Sequence, residues 1–200
     1  MDILDKLRTY ANNNHIPIID KEIEDILNLM LLLKKPELIL EIGTAIAYST
    51  ISMAKIVGKD TEIVSIERDE ELFSMARDNV LAEGLEKQIN LKFGDAFDVL
   101  SALNRKFDFI FLDAAKGQYK YFFEYIFNLL PYGGILISDN VNFQGLVKGA
   151  NYVEHKHRTM VNNLRDYIYL IKNHEELSTF FLPVKDGLAI SIRRDEIEKT

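Results

Sequence analysis

Short apolar runs alternate with longer segments of helical character through the middle of this chain. The runs with the length and composition of buried strands are Leu38–Ile42, Glu62–Ile66, Ile89–Phe93, Phe107–Leu112 and Ile135–Ser138. The helix-length segments between them are Tyr48–Val57, Glu70–Glu83, Phe97–Leu103 and Tyr119–Leu130. This alternation is typical of βαβ units, so the pattern predicts an α/β fold with a doubly wound, mainly parallel sheet.

Both ends of the chain add elements to this pattern. Two helices are predicted before the first strand, at about Asp2–Asn14 and Asp20–Lys34. A further helix, at about His157–Asn173, precedes two last strands, Thr179–Val184 and Leu188–Arg193. An Asp-Gly pair lies between those two strands, which predicts a C-terminal antiparallel hairpin.

The composition fits one globular domain. The 200 residues are 48% hydrophobic and 28% charged, which is enough to bury a full core. We predict a single domain over residues 1–200 with a seven-stranded sheet, an N-terminal helical segment at 1–35 and an α/β core at 36–200. The net charge of -7 argues against a surface that attracts polyanions everywhere.

The cysteine content, the N-terminal residues and the longest apolar run predict where in the cell the protein is found. The chain has no cysteine, which excludes disulfides and thiolate metal sites and suits a reducing compartment. The first residues are polar and partly acidic, unlike a signal peptide, and the longest apolar run, Ile26–Leu33, is too short to span a bilayer. We therefore expect a cytoplasmic protein.

Ligands of doubly wound sheets bind beyond the carboxyl ends of the strands, so the residues that end each strand are the candidates for function. Gly43 ends the first strand and permits a tight turn into the next helix. A dinucleotide fingerprint would need glycine at positions 43, 45 and 48, whereas this chain has Gly43, Ala45 and Tyr48. The turn therefore argues against a pyrophosphate site, and a plain strand-to-helix turn is the alternative.

The second and third strand ends carry acids. Glu67 follows the second strand, where an acid commonly binds ribose hydroxyls; an exposed partner for Arg68, or a helix cap, is the alternative. Asp95, next to Ala96, follows the third strand and could bracket an adenine, cap the next helix, or do both. Taken with Gly43, these ends predict an adenosyl ligand without a diphosphate.

The fourth and fifth strand ends carry oxygen ligands. Asp113 ends one strand, and Asp139 and Asn140 end the next. Two carboxylates and an amide oxygen suit Mg²⁺ or Ca²⁺, and three protein ligands leave room on Mg²⁺ for water and substrate oxygens. The alternative is that Asp113 caps the helix after Gly117 while Asp139 and Asn140 form a polar turn.

Lys116 lies three residues after Asp113. An ordinary surface lysine is the default interpretation. Beside a divalent cation, however, its neutral amine would be favoured, and a neutral amine is a general base.

Five segments together resemble a known family. LEIGTAIAYS, VSIERD, FGDA, FLDAAKGQY and ISDNV are similar to the motifs of the cation-dependent, S-adenosylmethionine (SAM)-dependent O-methyltransferases, which include catechol and caffeoyl-CoA methyltransferases. The resemblance spans about Ile39 to Arg193. It implies a Rossmann-like class I methyltransferase fold, SAM as cofactor with Mg²⁺ or another divalent cation, and, from relatives, a homodimer.

The resemblance also implies roles for individual residues. The residues implied at the methyl donor's site are Glu41, Gly43, Thr44, Ser49, Glu67, Asp95, Ala96 and Asp113. The implied metal ligands are Asp113, Asp139 and Asn140, and Lys116 is the implied base, which makes Lys116 and Asp113 the catalytic pair. The chain departs from the family at Ala47, where a glycine is usual, and the extra methyl could crowd the donor.

Within the family the chain is most similar to the bacterial tRNA 5-hydroxyuridine methyltransferases, which make 5-methoxyuridine at the wobble position. The similarity lies in YANNNHIPIID and HRTMVNNLRDY. The 5-hydroxyl and 4-carbonyl oxygens of that base are neighbours and can chelate Mg²⁺ as a catechol does. A small catechol or caffeoyl ester is the alternative substrate, and a binding protein that keeps the donor pocket without activity is the third hypothesis.

A locally basic segment bears on the tRNA hypothesis. Between residues 144 and 174 there are five lysines and arginines and two acids, so the local charge is +3. The candidate RNA contacts are Lys148, Lys156, Arg158 and Arg165, with Phe143 and Tyr152 as stacking partners for a splayed base. A solvated helix face is the alternative.

Overall fold

A seven-stranded mixed sheet carries the fold. The computed structural model of the protein describes residues 2–142 and 157–195. These residues fall into two compact units, Met1–Ala102 and Leu103–Thr200.

The first unit contains three parallel strands in the order β3-β2-β1. Its elements are α1 (Ile3–Asn13), α2 (Lys21–Lys34), β1 (Leu38–Ile42), α3 (Tyr48–Val57), β2 (Glu62–Glu67), α4 (Glu70–Ala82), β3 (Ile89–Phe93) and α5 (Ala96–Ala102). Every residue of β1 is buried, as expected of a parallel strand covered on both faces. The strand is apolar except for Glu41, so its fold requires polar partners for one buried carboxyl group.

The N-terminal helices are integral to this unit, because α1 and α2 both pack against α3. Asp2 is the N-cap of α1, and its carboxylate accepts a hydrogen bond from the Ile3 amide. The α2 helix follows Asp20 and is capped at its C-terminus by Lys35, which has a left-handed backbone with φ 52°. Its apolar face, with Ile23, Leu27 and Leu31 buried, points into the core.

The second unit contains four strands in the order β4-β5-β7-β6. Its elements are β4 (Phe109–Leu112), a short 3₁₀ turn (Lys116–Gln118), α6 (Tyr119–Leu129), β5 (Ile135–Ser138), α7 (Arg158–Asn173), β6 (Leu177–Leu182) and β7 (Leu188–Arg193). The β4 and β5 strands are parallel, and their register pairs Leu112 with Ser138. The β7 strand runs antiparallel to both β5 and β6.

The architecture predicted from the pattern is confirmed, including the parallel strands and the C-terminal antiparallel hairpin. Several element ends differ from the prediction. The fourth strand begins at Phe109, because the Phe107 amide donates to the Leu129 carbonyl at the end of α6. The sixth strand covers Leu177–Leu182 and stops before Pro183, which has no amide hydrogen to donate.

The hairpin turn also differs from the predicted Asp-Gly turn. The Gly187 amide donates to the Val184 carbonyl at 2.7 Å, so the central residues of the turn are Lys185 and Asp186. Lys185 has a positive φ of 47°, and Gly187, the last residue of the turn, has a φ of 84°. A Cβ at Gly187 would lie 2.8 Å from Cβ of Asn142. Glycine is required at 187 by its backbone conformation and by this close approach.

None of the described helices combines the length and the hydrophobicity that a membrane crossing requires.

Candidate functional site

The first strand end of unit one is built on the buried carboxyl group of Glu41. The group accepts hydrogen bonds from the hydroxyls of Ser49 and Ser65, each at 2.5 Å, and from the hydroxyl of Thr50. Burial raises the pKa of Glu41 to about 7, although the three hydroxyl hydrogen bonds oppose the rise. Glu41 therefore fastens the first turn of α3 and strand β2 to strand β1.

The turn between β1 and α3 is held by the backbone. Gly43 has φ 104°, and its amide and that of Thr44 both donate to the carbonyl of Ile66, at 3.0 and 3.2 Å. Ala45 and Ala47 are both left-handed, with φ 48° and 66°. Ala47, where the family usually has glycine, is fully buried at the start of α3, so the chain carries a buried methyl group in a conformation that favours glycine.

The carboxylate of Glu67, at the end of β2, is held by three backbone amides. It accepts from Ala45 at 2.8 Å, and from Arg68 and Asp69 at 2.9 Å each. The side chain is buried, so the alternative of an exposed partner for Arg68 is wrong. The helix-cap alternative is also wrong, because Asp69 is the cap of α4 and accepts from the Leu72 amide.

The third strand end is joined to the second, since the Gly94 amide donates to the Glu67 carbonyl at 2.9 Å. The Asp95 carboxylate accepts from the Phe97 amide at 2.9 Å, and α5 begins at Ala96. The capping role weighed for Asp95 is therefore present. Both Asp95 and Ala96 remain partly accessible, which leaves room for a ligand role beside the cap.

In the second unit the structure brings Asp113 and Asp139 together. Each directly follows its strand, and the strand register pairs the preceding residues, Leu112 and Ser138. The Asp139 amide donates to the Leu112 carbonyl at 3.0 Å, which extends the backbone pairing by one residue, to Asp139. Asn140 comes next, with a left-handed φ of 57°, and its amide donates to the Asp139 carboxylate at 2.6 Å.

The charges on both carboxylates act on one hydroxyl. Burial raises the pKa of Tyr119 well above its usual range, and the charges of Asp113 and Asp139 raise it further. In the described part of the chain, no cluster of three or more His, Cys, Asp or Glu side chains is suited to a metal ion. The third predicted ligand is an amide, and two carboxylates with an amide oxygen suit a hard cation such as Mg²⁺.

The alternative that Asp113 caps a helix is wrong. Ala115 occupies the position before the 3₁₀ turn, and Gln118 the position before α6. Lys116 is the first residue of the turn and is half-buried. Asn163 of α7 donates to the carbonyl of Gly117 at 2.9 Å, so α7 holds the turn that carries Lys116.

Only part of the predicted RNA-binding set can be placed. Arg158 and Arg165 lie on α7, the first exposed and the second half-buried. Lys148 and Lys156 lie outside the described residues, as do the predicted stacking residues Phe143 and Tyr152.

Two clusters were missed at the level of sequence. One joins Arg8, Glu24 and Tyr48, from three different helices. The other pairs Tyr119 with Tyr167 beneath the carboxylate-bearing strand ends. The only signal for either was an ionisable or hydroxyl group on an otherwise apolar helix face, such as Glu24 in α2.

The seven-stranded sheet with its C-terminal antiparallel hairpin defines a class of fold, that of the Rossmann-like class I SAM-dependent methyltransferases. More specifically, the chain belongs to the O-methyltransferase family, whose profile matches residues 1–194.

Relatives and solved structures agree with this membership. A catechol O-methyltransferase of Niastella koreensis is 35% identical over 120 residues, covering 58% of this chain and 54% of the relative. A caffeoyl-CoA O-methyltransferase of Populus kitakamiensis is 30% identical over 126 residues, covering 60% and 54%. The chain thus spans about half the length of these two relatives.

Two solved structures are similar over nearly their whole length. A candidate caffeoyl-CoA O-methyltransferase from Staphylococcus aureus has a TM-score of 0.89 and 34% identity, covering 96% of this chain and 93% of that one. An O-methyltransferase from Bacillus cereus was solved in complex with S-adenosylhomocysteine (SAH). It has a TM-score of 0.85 and 26% identity, covering 97% of this chain and 92% of that one.

Proposed function

We propose that this protein transfers a methyl group from SAM to a hydroxyl oxygen of a substrate that presents two adjacent oxygen atoms. The observation that carries the proposal is the pairing of Asp113 with Asp139 at the ends of two adjacent parallel strands. Asn140 directly follows Asp139 in the chain, and Lys116 lies three residues after Asp113. O-methylation of a substrate that chelates a cation requires one site for the methyl donor and one for the cation. The paired aspartates are the proposed cation site.

The donor's ribose is assigned to Glu67. A carboxylate has about four acceptor positions, and backbone amides occupy three of them here, which leaves capacity for a ribose hydroxyl. Those same amides fix the orientation of the carboxylate. Asp95 and Ala96 are assigned to the adenine, and Gly43, Thr44 and Ser49 to the rest of the donor.

One assignment from the resemblance takes an altered form. Glu41 is fully buried beneath three hydroxyls, so we assign it the role of orienting Ser49 and Thr50. Asp113 keeps both roles that the resemblance implies, at the cation and at the donor.

The cation is assigned to Asp113, Asp139 and Asn140. When bound, Mg²⁺ supplies a Lewis acid that favours the ionised form of a substrate hydroxyl. Lys116 accepts the proton of that hydroxyl at its Nζ atom. The oxygen then attacks the methyl carbon in line, the carbon–sulfur bond breaks as the carbon–oxygen bond forms, and SAH leaves with the electron pair on sulfur. Holding the reactants at near-attack distance supplies much of the rate.

For the substrate, we propose the 5-hydroxyuridine of tRNA at the wobble position, converted to 5-methoxyuridine. The support is the local charge of +3 between residues 144 and 174. Helix α7 within that segment also presents Arg158 and an exposed tyrosine, Tyr169. Cations and exposed aromatic rings are what single-stranded RNA loops bind.

A small catechol or a caffeoyl ester is the second candidate substrate. The names of the Niastella and Populus relatives favour it. The proposed cation site serves both candidates equally, because each offers two neighbouring oxygens.

The deciding experiment incubates the purified protein with SAM and three substrates in parallel: tRNA carrying 5-hydroxyuridine, catechol and caffeoyl-CoA. Mass spectrometry of digested nucleosides or of the free product detects a gain of one methyl group. We expect tRNA to be methylated fastest and EDTA to abolish turnover, with excess Mg²⁺ restoring it. Faster turnover of a small molecule would transfer the assignment to the second candidate. SAM binding without turnover of any substrate would favour a binding protein, and turnover in EDTA would contradict the cation mechanism.

We also propose that the protein is a homodimer. The support is the outer face of α2, which exposes Leu29, Leu32 and Leu33 by 54%, 56% and 70%. An exposed apolar stripe of this kind is typical of a contact surface. Light scattering during size-exclusion chromatography should give twice the chain mass, and Leu32→Glu with Leu33→Glu should give the chain mass.

A further inference from the structure

The hydroxyl of Tyr119 lies where strands β4 and β5 end. It is 3.3 Å from the carbonyl oxygen of Leu112 and 3.2 Å from that of Asp139. A hydroxyl has one proton to donate, and both distances exceed the usual O–H···O value of about 2.8 Å, so the two carbonyls share that proton. The Leu112 carbonyl belongs to the peptide bond that joins Leu112 to Asp113. Tyr119 thus bridges two peptides that directly carry Asp113 and Asp139.

This bridge lies just past the last paired residues of the two strands. The Leu112 carbonyl also accepts from the Asp139 amide at 3.0 Å. The Asp139 amide and the Tyr119 hydroxyl therefore both donate to the Leu112 carbonyl oxygen, at the point where β4 and β5 end.

The ring of Tyr119 is fixed in place by its surroundings. The side chain is fully buried, and its ring lies edge-on to that of Tyr167 on α7, with 5.4 Å between centroids and 79° between planes. Tyr167 is also fully buried, and its hydroxyl lies 2.5 Å from the hydroxyl of Ser138. The two edge-on tyrosines thus support the end of β5, and of the two it is Tyr119 whose hydroxyl bonds to the backbone carbonyls of Leu112 and Asp139.

A carbonyl oxygen can only accept a hydrogen bond, so the Tyr119 hydroxyl is the donor in its contacts with the Leu112 and Asp139 carbonyls.

We propose that Tyr119 is a positioning residue for the cation site, and that its hydroxyl holds Asp113 and Asp139 in the relative position that binds a divalent cation. This inference rests on the cation site proposed above. It predicts a loss of cation affinity when only the hydroxyl is removed, since groups that orient metal ligands typically contribute 10- to 100-fold in affinity.

Tyr119→Phe removes the hydroxyl and keeps the ring. Tyr167→Phe is the matched control, because it also removes one hydrogen-bonded hydroxyl from a fully buried tyrosine in the same ring pair. Mn²⁺ titration followed by electron paramagnetic resonance measures cation affinity without turnover. Calorimetry with SAH measures the donor site in the same samples.

We expect Tyr119→Phe to weaken Mn²⁺ binding about 10-fold or more. Tyr167→Phe should stay within about twofold of the unaltered protein, and SAH affinity should be unchanged in both variants. Equal Mn²⁺ affinity in all three proteins, or an equal loss in both variants, would overturn the inference while leaving the proposed function intact. If the unaltered protein itself binds no Mn²⁺ with SAH present, the proposed cation mechanism fails and this inference fails with it.

A measurement on the unaltered chain covers the case in which Tyr119→Phe does not fold. Coupling between a hydrogen bond and a binding site is reciprocal, so Mg²⁺ should stabilise the bridge that helps to bind it. Proton exchange of the Tyr119 hydroxyl, followed by nuclear magnetic resonance, should slow at least about 10-fold with saturating Mg²⁺. The Tyr167 hydroxyl should not slow. The inference is contradicted if proton exchange slows equally at both hydroxyls, or if it slows at neither.

Discussion

The hydroxyl of Tyr48 donates a hydrogen bond of 3.0 Å to the carboxylate of Glu24, and this contact joins the first turn of α3 to α2. Arg8 of α1 completes the cluster, with its guanidinium 2.6 Å from the Tyr48 hydroxyl, 3.0 Å from Glu24 and stacked over the Tyr48 ring at 4.5 Å. Ser52 also donates to Glu24, at 2.8 Å. The N-terminal helices are thereby fastened to the helix that follows the proposed donor turn.

Loss of Arg8 is expected to destabilise the fold. Burial alone would raise the pKa of Glu24, but hydrogen bonds from Ser52 and Tyr48 and the charge of Lys21 outweigh it and hold the pKa below its usual range. The carboxylate is thus ionised and 3% exposed. Arg8→Ala removes a cationic side chain that offsets this buried negative charge. We expect a loss of about 2 kcal/mol in the free energy of unfolding, measured with urea.

Lys21→Ala is the matched control. Lys21 also contacts Glu24, at 3.3 Å, but its side chain is 65% exposed, so the loss should be below about 1 kcal/mol. A smaller effect of Arg8→Ala than of Lys21→Ala would contradict the role given to the cluster. In a double-mutant cycle, Arg8→Ala and Glu24→Gln should be coupled rather than additive.

The buried carboxyl group of Glu41 should make stability depend on pH. Its pKa in the folded protein, about 7, lies above the ordinary value of 4.5, so the unfolded chain releases this proton at lower pH than the folded protein. Its contribution to stability is therefore complete below about pH 4.5 and is lost as pH rises to about 7. The size of this loss is about 3 kcal/mol.

Glu41→Gln replaces the ionisable group by a neutral one that can still hydrogen-bond. Urea unfolding between pH 5 and pH 8 should show the variant gaining about 3 kcal/mol relative to the unaltered protein. Glu86→Gln, at an exposed position, should show no such trend. A constant difference between the two proteins across this range would mean that Glu41 titrates like an exposed glutamate.

Ala47 tests the effect of a left-handed residue at the start of α3. Glycine there would relieve about 1 kcal/mol of backbone strain. Glycine would also remove a buried methyl group and raise the entropy of the unfolded chain. Each of these effects destabilises the folded protein by a similar amount of free energy. We therefore expect Ala47→Gly to change the free energy of unfolding by less than about 1 kcal/mol.

Ala47→Val is the contrasting variant, because a β-branched side chain combines the left-handed strain with overpacking of a fully buried site. It should destabilise the protein by about 2 kcal/mol or more. Calorimetry with SAH on Ala47→Gly reports whether the methyl group also affects the donor. Similar stabilities for the glycine and valine variants would contradict the strained conformation.

Lys116 should matter for turnover more than for stability. Lys116→Ala removes the proposed base and should lower kcat by about 10²- to 10⁴-fold. The lysine is half-buried at the start of a 3₁₀ turn, so the free energy of unfolding should change by less than about 1 kcal/mol.

Lys120→Ala is the control for this substitution. Lys120 lies four residues on and pairs with Asp166 at 2.8 Å, and its removal should leave kcat unchanged. Full activity of Lys116→Ala would refute the base role, and a large loss of stability would indicate a structural role instead.

The alternation of apolar runs and helix-length segments was sufficient to predict the fold, because strand β1 and its neighbours are buried on both faces and read as continuous apolar runs. Strand ends were less well predicted. Phe107 is as apolar as the strand that follows, yet its amide pairs with the end of α6. Hydrophobicity reports burial, and the hydrogen-bond partner of a backbone amide depends on the neighbouring element.

The strand-end rule also identified Glu67 and the pair Asp113 and Asp139 as candidates, because carboxyl ends of parallel strands lie at one edge of a sheet. The sequence by itself thus determined the class of fold and which side chains end each strand. Only the tertiary structure decided that Glu67 is clamped by three amides, that Glu41 is enclosed by hydroxyls, and that Tyr119 bridges the peptides of Asp113 and Asp139. The physical reason is that these contacts join residues distant along the chain, and their geometry depends on strand register and helix packing, which local patterns do not encode.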